Sequence, residues 1–599
     1  MMTRKLLAFV VAAAVVGLIA LVYWPAHSAG FVWDDKTCLH DAAWLRTGDS
    51  WKQYIWSGFC DWSNYFRPLI VALFVAEVRV FDVAPEPMHL ISLALHLINT
   101  LLVGLLARML CLQRGRTSNL LTAAAMLLYG LHPALIEPVV WISSQAELVV
   151  TLLTLLALLA NTLLKHTAIR AFIVAACFLL AAGAKESAAT LPLLLVLFDW
   201  MRLDTTSNTG RIAEIRQLWQ RQWPVYLSVL AVGIAYLALR FGILGFLLQP
   251  TSGAPLFSLA RWQTVGFVYL TYWRIIVWPM VDLGPTHEFD PGRFATFDAA
   301  SAVIDLAAAT IFLAGLFAAY KRKPVGYLIV AATVALLPVL HLVPVQFDPS
   351  LYHERYTMMA TALVLALLPR VASTISLPAP TLRTSVIATA TLGLLWLGIA
   401  VTNIRVTLPL WSDETKLWQW AAQENPASSR VKNNLLASYI KINDQVRAHA
   451  LADVLLAQAH PCPECMLNVA DLAIADGNLA RVKTAMSKAE KAITPITPAR
   501  HLQAFVLATG VMHEMEHDTD GAAEAYHDAI AMDPLDPTAR ISFALFLARQ
   551  GKVTEARAAM DETLPLFPPD TREARREEFE QTLTAAMSAQ TPLAPQKDR

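Results

Sequence analysis

The chain has 599 residues, is 56% hydrophobic and 16% charged, and its formal charges cancel. A soluble globular chain is about 45–50% apolar and about 25% charged, so the composition points towards a membrane, as does the mean hydropathy of +0.47. With no net charge and no basic tract long enough to follow a phosphate backbone, nucleic acid is excluded as a partner.

The apolar excess is uneven along the chain. Before about residue 405 the charges sit in short clusters between long apolar runs, and afterwards they are continuous. This predicts an all-α chain in four parts: a transmembrane domain at 1–404, a linker at 405–424, helical repeats at 425–587 and a disordered end at 588–599. A span needs about 20 mainly apolar residues. In chain order the candidates are 6–24, 89–109, 119–132, 135–164, 171–182, 187–200, 224–247, 297–319, 325–342, 355–369 and 384–402. That makes eleven crossings.

Two further apolar segments, 66–83 and 262–280, are decided by the positive-inside rule. Arg4 and Lys5 place the N-terminus in the cytoplasm. Arg108, Arg114 and Arg116 join them only if 66–83, interrupted by Arg67, Pro68, Glu77 and Arg79, does not cross. Lys321, Arg322 and Lys323 require the same of 262–280, which carries Arg274. In this frame 25–65, 248–296, 343–354 and everything after 403 are extracytoplasmic. Cleavage of 1–29 as a signal peptide is an alternative to a retained anchor and leaves the sides unchanged.

Extracytoplasmic cysteines are free to pair. Cys38 and Cys60 lie in the first outer loop, and Cys462 and Cys465 form a CxxC. Its first reading is a local structural disulfide. Redox or metal roles come behind it, since no second cysteine pair follows. Pro426, Pro461 and Pro495 are 35 and 34 residues apart, and Pro534 and Pro568 are 34 apart. A period of 34 is that of tetratricopeptide helix pairs. Ala522, Tyr526, Ala529 and Pro534 fit the second helix and its closing turn, and Ala556 and Pro568 repeat part of the pattern. The spacing predicts three to four degenerate repeats with an irregular stretch between Pro495 and Pro534. They serve either as a brace or as a surface that holds a polypeptide.

Ionisable groups at membrane depth are costly, and are usually paired or functional. Asp34 and Asp35 stand outside the first helix and could supply a general base or metal ligands; the plain alternative is a pair of solvated loop acids. Of Arg67, His132, Glu137, Glu147, Lys185, Glu186, Arg240, Arg274, Glu354 and Arg355, nearly all fall at or near the outer ends of helices, with Arg274 inside the segment that does not cross. Carboxylates among cations able to bind phosphate fit a reaction whose leaving group is a lipid phosphate, and they fit transporter salt bridges as well.

These residues carry a resemblance. Gly30–Asp35, Tyr65–Leu69, His89–Asn99, Gly130–Ile142, Gln145–Leu148, Lys185-Glu186, Tyr269–Pro279, Glu354–Tyr356, Trp411–Glu414 and Asn425-Pro426 resemble stretches of the transmembrane and tetratricopeptide-repeat-containing mannosyltransferases and their bacterial relatives. Those proteins belong to the GT-C superfamily of polyprenyl-phosphate-sugar glycosyltransferases, and the likeness runs from residue 5 to about 580. It departs at Gln145, where family members usually carry Arg.

The resemblance implies a bacterial inner-membrane enzyme with its repeats in the periplasm. It would move mannose or another hexose, with inversion, from a polyprenyl-phosphate donor to Ser or Thr of a polypeptide held by the repeats. Asp35 or Asp34 would be the base. Arg274, Lys185, Arg355 and Arg240 would bind the donor phosphate, and Arg67, His132, Glu137, Glu147, Glu186 and Glu354 would support the acceptor or the site. A divalent cation, Mg or Mn, would sit on Asp34 and Asp35 if one is used. A glycan or lipid acceptor, and a non-catalytic scaffold, are the competing expectations.

Overall fold

In a computed structural model the described residues are 2–40, 45, 51–57, 65–203, 211–247, 257–287, 291–294, 296–343, 350–375, 379–459, 462–494, 497, 499–534, 536–567 and 572–588. All regular elements among them are helical. The chain forms two compact units, residues 1–38 with 52–413, and residues 39–51 with 414–599. Part of the first loop thus groups with the C-terminal unit, which sequence periodicity could not indicate. Cys60 and the end beyond Ser588 lie outside the described residues.

The first unit opens with α1 (Met2–Tyr23); the five-residue α2 (Trp51–Ile55) begins on the last residue of the 39–51 segment, and α3 (Pro68–Phe81) and α4 (Pro85–Leu110) follow. Pro68 and Pro85 begin their helices, where a missing N–H costs nothing. Next come α5 (Arg116–Gly130), α6 (Ile136–Val140), α7 (Gln145–Leu163), α8 (Thr167–Ala184) and α9 (Leu191–Arg202). The unit is completed by α10 (Arg211–Leu244), α11 (Leu259–Val277), α12 (Ala299–Tyr320), α13 (Pro324–Leu336), α14 (Met358–Ala372) and α15 (Ala379–Thr407). Ser258 caps α11 by accepting from Arg261 N at 3.3 Å, and Asp298 caps α12 by accepting from Ser301 N at 3.1 Å.

Among the described residues seven helices are long and apolar enough to cross a membrane, or eight if one bent pair counts as a span. The other expected crossings are where the difference lies. Residues 119–132 and the start of 135–164 form the bent pair, turning by 53° between Gly130 and Pro133. The α9 helix has 12 residues, α13 has 13 and α14 has 15, short of about 20. In α14 every residue from Met358 to Leu367 is buried. The eleven expected segments become seven helices of membrane length, the bent pair and three shorter apolar helices. Enclosure by other helices does not decide the matter, since the counted helix at Ile142–Leu163 is itself 72% buried. In contrast, only 11% of the apolar window of α10 and 6% of that of α15 is buried. The segments expected not to cross form α3, of 14 residues, and α11, of 19. Neither is among the seven.

In the second unit α16 (Glu414–Glu424) precedes four helix pairs. These are α17 (Ser429–Lys441) with α18 (Gln445–Leu456), α19 (Pro463–Ala475) with α20 (Leu479–Ala492), α21 (Ala499–Met515) with α22 (Thr519–Met532), and α23 (Pro537–Arg549) with α24 (Val553–Thr563); α25 (Arg572–Ser588) follows them. Each pair turns through one residue of positive φ: Asn443, Gly477, His517 and Gly551. In the first three pairs the next residue caps the second helix: Asp444, Asn478 and Asp518 accept from Arg447 N, Arg481 N and Gly521 N. The irregular stretch after Pro495 has a simple cause. The α21 helix runs 17 residues where α17, α19 and α23 each run 13.

Candidate functional site

Asp34 and Asp35 follow Trp33, which is held at φ 52°. A bulky residue in the left-handed region carries strain of about 1–3 kcal/mol, which only surrounding contacts sustain. Those contacts are present. The Trp33 ring stacks on Trp141 with centroids 4.7 Å apart and planes 11° apart, and upstream Gly30 N donates to Ser412 O at 2.9 Å.

Asp35 is wholly buried. Its Oδ1 accepts from Ser143 N at 2.7 Å and Ser143 Oγ at 2.6 Å, and its Oδ2 accepts from Val32 N at 3.4 Å. Burial pushes the Asp35 carboxyl up to about 7, against the lowering by the Ser143 hydrogen bonds. Asp34 is half-buried. The two acids are thus placed differently: Asp35 ties the turn to the break between α6 and α7, and Asp34 beside it is partly exposed.

From Trp141 the network continues inward. The Arg355 guanidinium lies 4.9 Å from the Trp141 ring centroid and 4.8 Å from that of Tyr356. It pairs with Glu137 of α6, and the Arg355 backbone N donates to Glu137 Oε2 at 3.2 Å. Lys185, at the break between α8 and α9, lies 4.8 Å over the same Tyr356 ring and pairs with Glu147 of α7. The adjacent Glu186 is shared by two guanidiniums: Arg67 Nη2 donates to it at 2.9 Å, and Arg240 Nη1 of α10 stands 3.6 Å away. Tyr236 on α10 fixes the start of α3 by donating to Phe66 O at 2.9 Å.

A side branch starts at Glu354, which pairs with His287 at 2.7 Å and accepts from Gly284 N at 3.3 Å. Burial alone would lower His287, but Glu354 beside it raises its pKa above the usual value, and His287 in turn holds Glu354 below the carboxylate range. His287 stacks on Tyr352 at 4.2 Å, and Tyr352 OH donates to Asp282 at 3.2 Å. Asp282 pairs with Arg274 at 2.9 Å.

The candidates thus divide. Asp35, Glu137, Glu147, Lys185, Glu186, Arg67, Arg240 and Arg355 fall in one network, with Asp34 at its edge, built from the breaks between helices. Arg274, one of the four expected phosphate binders, lies at the far end of the side branch and is about a third exposed. His132 lies elsewhere. It donates from Nε2 to Ile276 O at 3.0 Å and faces Trp396, so it braces the bend after α5. Gln145 is buried and donates to Met88 O, Ser92 Oγ and Glu77, which commits it to packing between α3, α4 and α7.

Sequence reasoning missed Ser143, His287 and Tyr352, and gave Tyr356 no role of its own. Ser143 follows directly on the Gly130–Ile142 stretch, and Tyr352 and Tyr356 flank His353-Glu354-Arg355, so an aromatic and hydroxyl census around the ionisable residues would have found them. Among the described residues no three His, Cys, Asp or Glu side chains gather as ligands for a divalent cation, and no step is routed through one.

Of the cysteines, Cys462 and Cys465 are joined in a disulfide, Cys38 is disulfide-bonded, and Cys111 and Cys177 are free. In the repeat unit the buried Glu514 of α21 pairs with Arg549 of α23, whose Nη2 donates to it at 2.8 Å, and Tyr526 OH of α22 donates to it at 3.1 Å.

The tetratricopeptide repeat family model matches residues 515–576. This segment is a tetratricopeptide repeat. It covers α22 to α24 and enters α25. No curated protein matches the chain. Two solved structures are similar in part. The hetero-tetramer Cut9–Hcn1 of APC/C is 12% identical over 91% of this chain and 85% of that one, with a TM-score of 0.26. Yeast Tom70 is 13% identical over 78% of this chain and 92% of that one, with a TM-score of 0.24. Likenesses this weak carry no argument.

Proposed function

We propose that the chain is a multi-pass membrane glycosyltransferase. It would move a hexose from a polyprenyl monophosphate to Ser or Thr hydroxyls of a polypeptide on the extracytoplasmic face of a bacterial inner membrane. The observation that carries this reading is the single network that joins the Asp34–Asp35 turn to Arg355, Lys185, Arg67 and Arg240. These residues come from distant parts of the sequence and lie in a unit with seven helices of membrane length.

Asp34 acts as the general base. It is the partly accessible carboxylate, and Asp35, with both oxygens held and no exposed surface, positions it. The acceptor oxygen bonds to the anomeric carbon as its proton passes to Asp34, and the bond from that carbon to the phosphate oxygen breaks. The configuration inverts. Lys185, Arg355, Arg67 and Arg240 stabilise the charge that develops on the departing phosphate. Glu147, Glu137 and Glu186 hold those cations in place beforehand, so little reorganisation is left for the reaction. The repeats present the acceptor.

The test uses the full chain in lipid nanodiscs with a polyprenyl-phosphate hexose and a Ser/Thr peptide, product being read by mass spectrometry. Asp34→Asn is expected to lower transfer by about 10²–10⁴, the usual worth of a positioned base, with the fold retained. Transfer unchanged in both Asp34→Asn and Asp35→Asn overturns the reading. A second reading, a membrane-anchored scaffold, is favoured by the tetratricopeptide repeat at 515–576. It predicts partner binding that neither substitution alters and no transfer from any lipid-linked hexose.

A further inference from the structure

The Cys462–Cys465 disulfide lies outside everything described so far, and its surroundings are not those of a simple staple. It closes a ring of only four residues. The chain entropy that a disulfide removes from the unfolded state grows with the loop it closes, so this one stabilises the repeats little. It stands instead at the N-terminus of the 13-residue α19. There the Cys465 backbone N donates to Cys462 Sγ at 3.2 Å. A helix N-terminus with an N–H aimed at sulfur favours the thiolate over the thiol.

The two sulfurs are placed unequally. Cys462 is half-buried and Cys465 is fully buried. Cys465 Sγ lies 3.5 Å from the backbone oxygen of Ser429 in α17. A sulfur in a disulfide has no proton to give that oxygen, but a reduced Cys465 has one. The fold therefore holds a ready acceptor for Cys465 as a thiol and a ready donor for Cys462 as a thiolate. Both features stabilise the reduced pair, and they assign different roles to its members.

We propose that Cys462 and Cys465 form a thiol–disulfide exchange site that oxidises a dithiol in a bound polypeptide. A substrate thiolate attacks Cys462 Sγ, the Cys462–Cys465 bond breaks, and Cys465 leaves and takes up a proton. The second substrate thiolate then attacks the substrate sulfur of the mixed disulfide. Cys462 leaves as a thiolate under the helix N-terminus. The substrate loses two electrons and gains a disulfide, and the pair gains the two electrons. One chain oxidises one dithiol, and a further disulfide-bearing oxidant of the same chemical class restores it.

The test is made on the full chain in detergent, with cysteine peptides mapped by mass spectrometry so that Cys38, Cys111 and Cys177 are read separately. After mild reduction, limiting iodoacetamide is expected to alkylate Cys462 at least about tenfold faster than Cys465, the mark of a low-pKa exposed thiolate. Glutathione disulfide is expected to leave a stable mixed disulfide on Cys462 in reduced Cys465→Ser and none on Cys465 in Cys462→Ser. The oxidised wild-type chain is expected to convert one equivalent of a reduced two-cysteine peptide to its disulfide. Equal alkylation of the two cysteines overturns the proposal. So does an oxidised pair that leaves the peptide reduced, which would mark a structural staple. Both readouts are independent of glycosyl transfer.

Discussion

Both units bury Arg–Glu pairs, and the contrast between them shows what such a pair is for. In the repeats Glu514 receives Arg549 from the neighbouring pair of helices and Tyr526 from its own. The contacts run between consecutive repeats, so the pair joins two layers of a stack. In the first unit the carboxylates sit at helix breaks, Glu186 is divided between Arg67 and Arg240, and Lys185 and Arg355 share one Tyr356 ring. Charges that cement a stack are local and reciprocal. In the first unit the charges are gathered from many elements around a shared centre, as the proposed reaction requires.

That contrast can be broken in three ways. The largest effect is expected from Glu514→Ala, which leaves Arg549 buried without its carboxylate. Removing one member of a buried pair costs about 3–5 kcal/mol, so hydrogen exchange should rise sharply in α21 to α23 while transfer by the first unit changes little. Equal loosening of both units would show that the pair does more than join repeats. Ser143→Ala removes one hydrogen bond to the Asp35 carboxylate and keeps the backbone N–H. The expected loss is about 1.5–3 kcal/mol, the worth of a hydrogen bond to a charged group, read as a lower melting temperature and slower transfer.

The third is a slope with pH, small over any one unit. Burial raises Asp35 from 3.8 to about 7. The folded chain therefore holds a proton that the unfolded chain has lost between those values. Stability is expected to fall as pH rises through this window, by at most about 1.4 kcal/mol per pH unit. Asp35→Asn should flatten the slope. A slope that survives the substitution assigns it to other groups, His287 first among them, since its raised pKa also favours the folded state at lower pH.

Much of this was legible in the sequence, for reasons that differ by region. The repeats announce themselves because Ala522, Tyr526 and Ala529 must be buried at fixed helical spacing and prolines recur between helix pairs. Long lipid-length helices are equally plain. The short ones are less plain, because the 12 to 15 residues of α9, α13 and α14 fall short of about 20 while being as apolar as a span. At the candidate site, residue types and their approximate places could be read, because ionisable residues are rare among apolar runs. Their pairings could not. Nothing in Lys185-Glu186 says that the lysine turns to Glu147 and the glutamate to Arg67, and nothing in Asp34-Asp35 says which one is tied down. Nor does the sequence show that Arg274 turns to Asp282, eight residues on in a loop.

The ties between successive repeats have a statistical-mechanical consequence. Arg481 meets Asp453 at 2.8 Å between the first and second pairs, Lys483 meets Glu516 at 2.5 Å between the second and third, and Arg549 meets Glu514 between the third and fourth. The first two lie at partly exposed positions, and only the third is buried on both sides. In a one-dimensional nearest-neighbour chain, stability is a sum of intrinsic and coupling terms, and the third junction is the one whose ion pair costs most to break from one side. Loss of Glu514 should therefore uncouple the fourth pair from the third, whereas loss of Asp453 or Glu516 should leave the array cooperative.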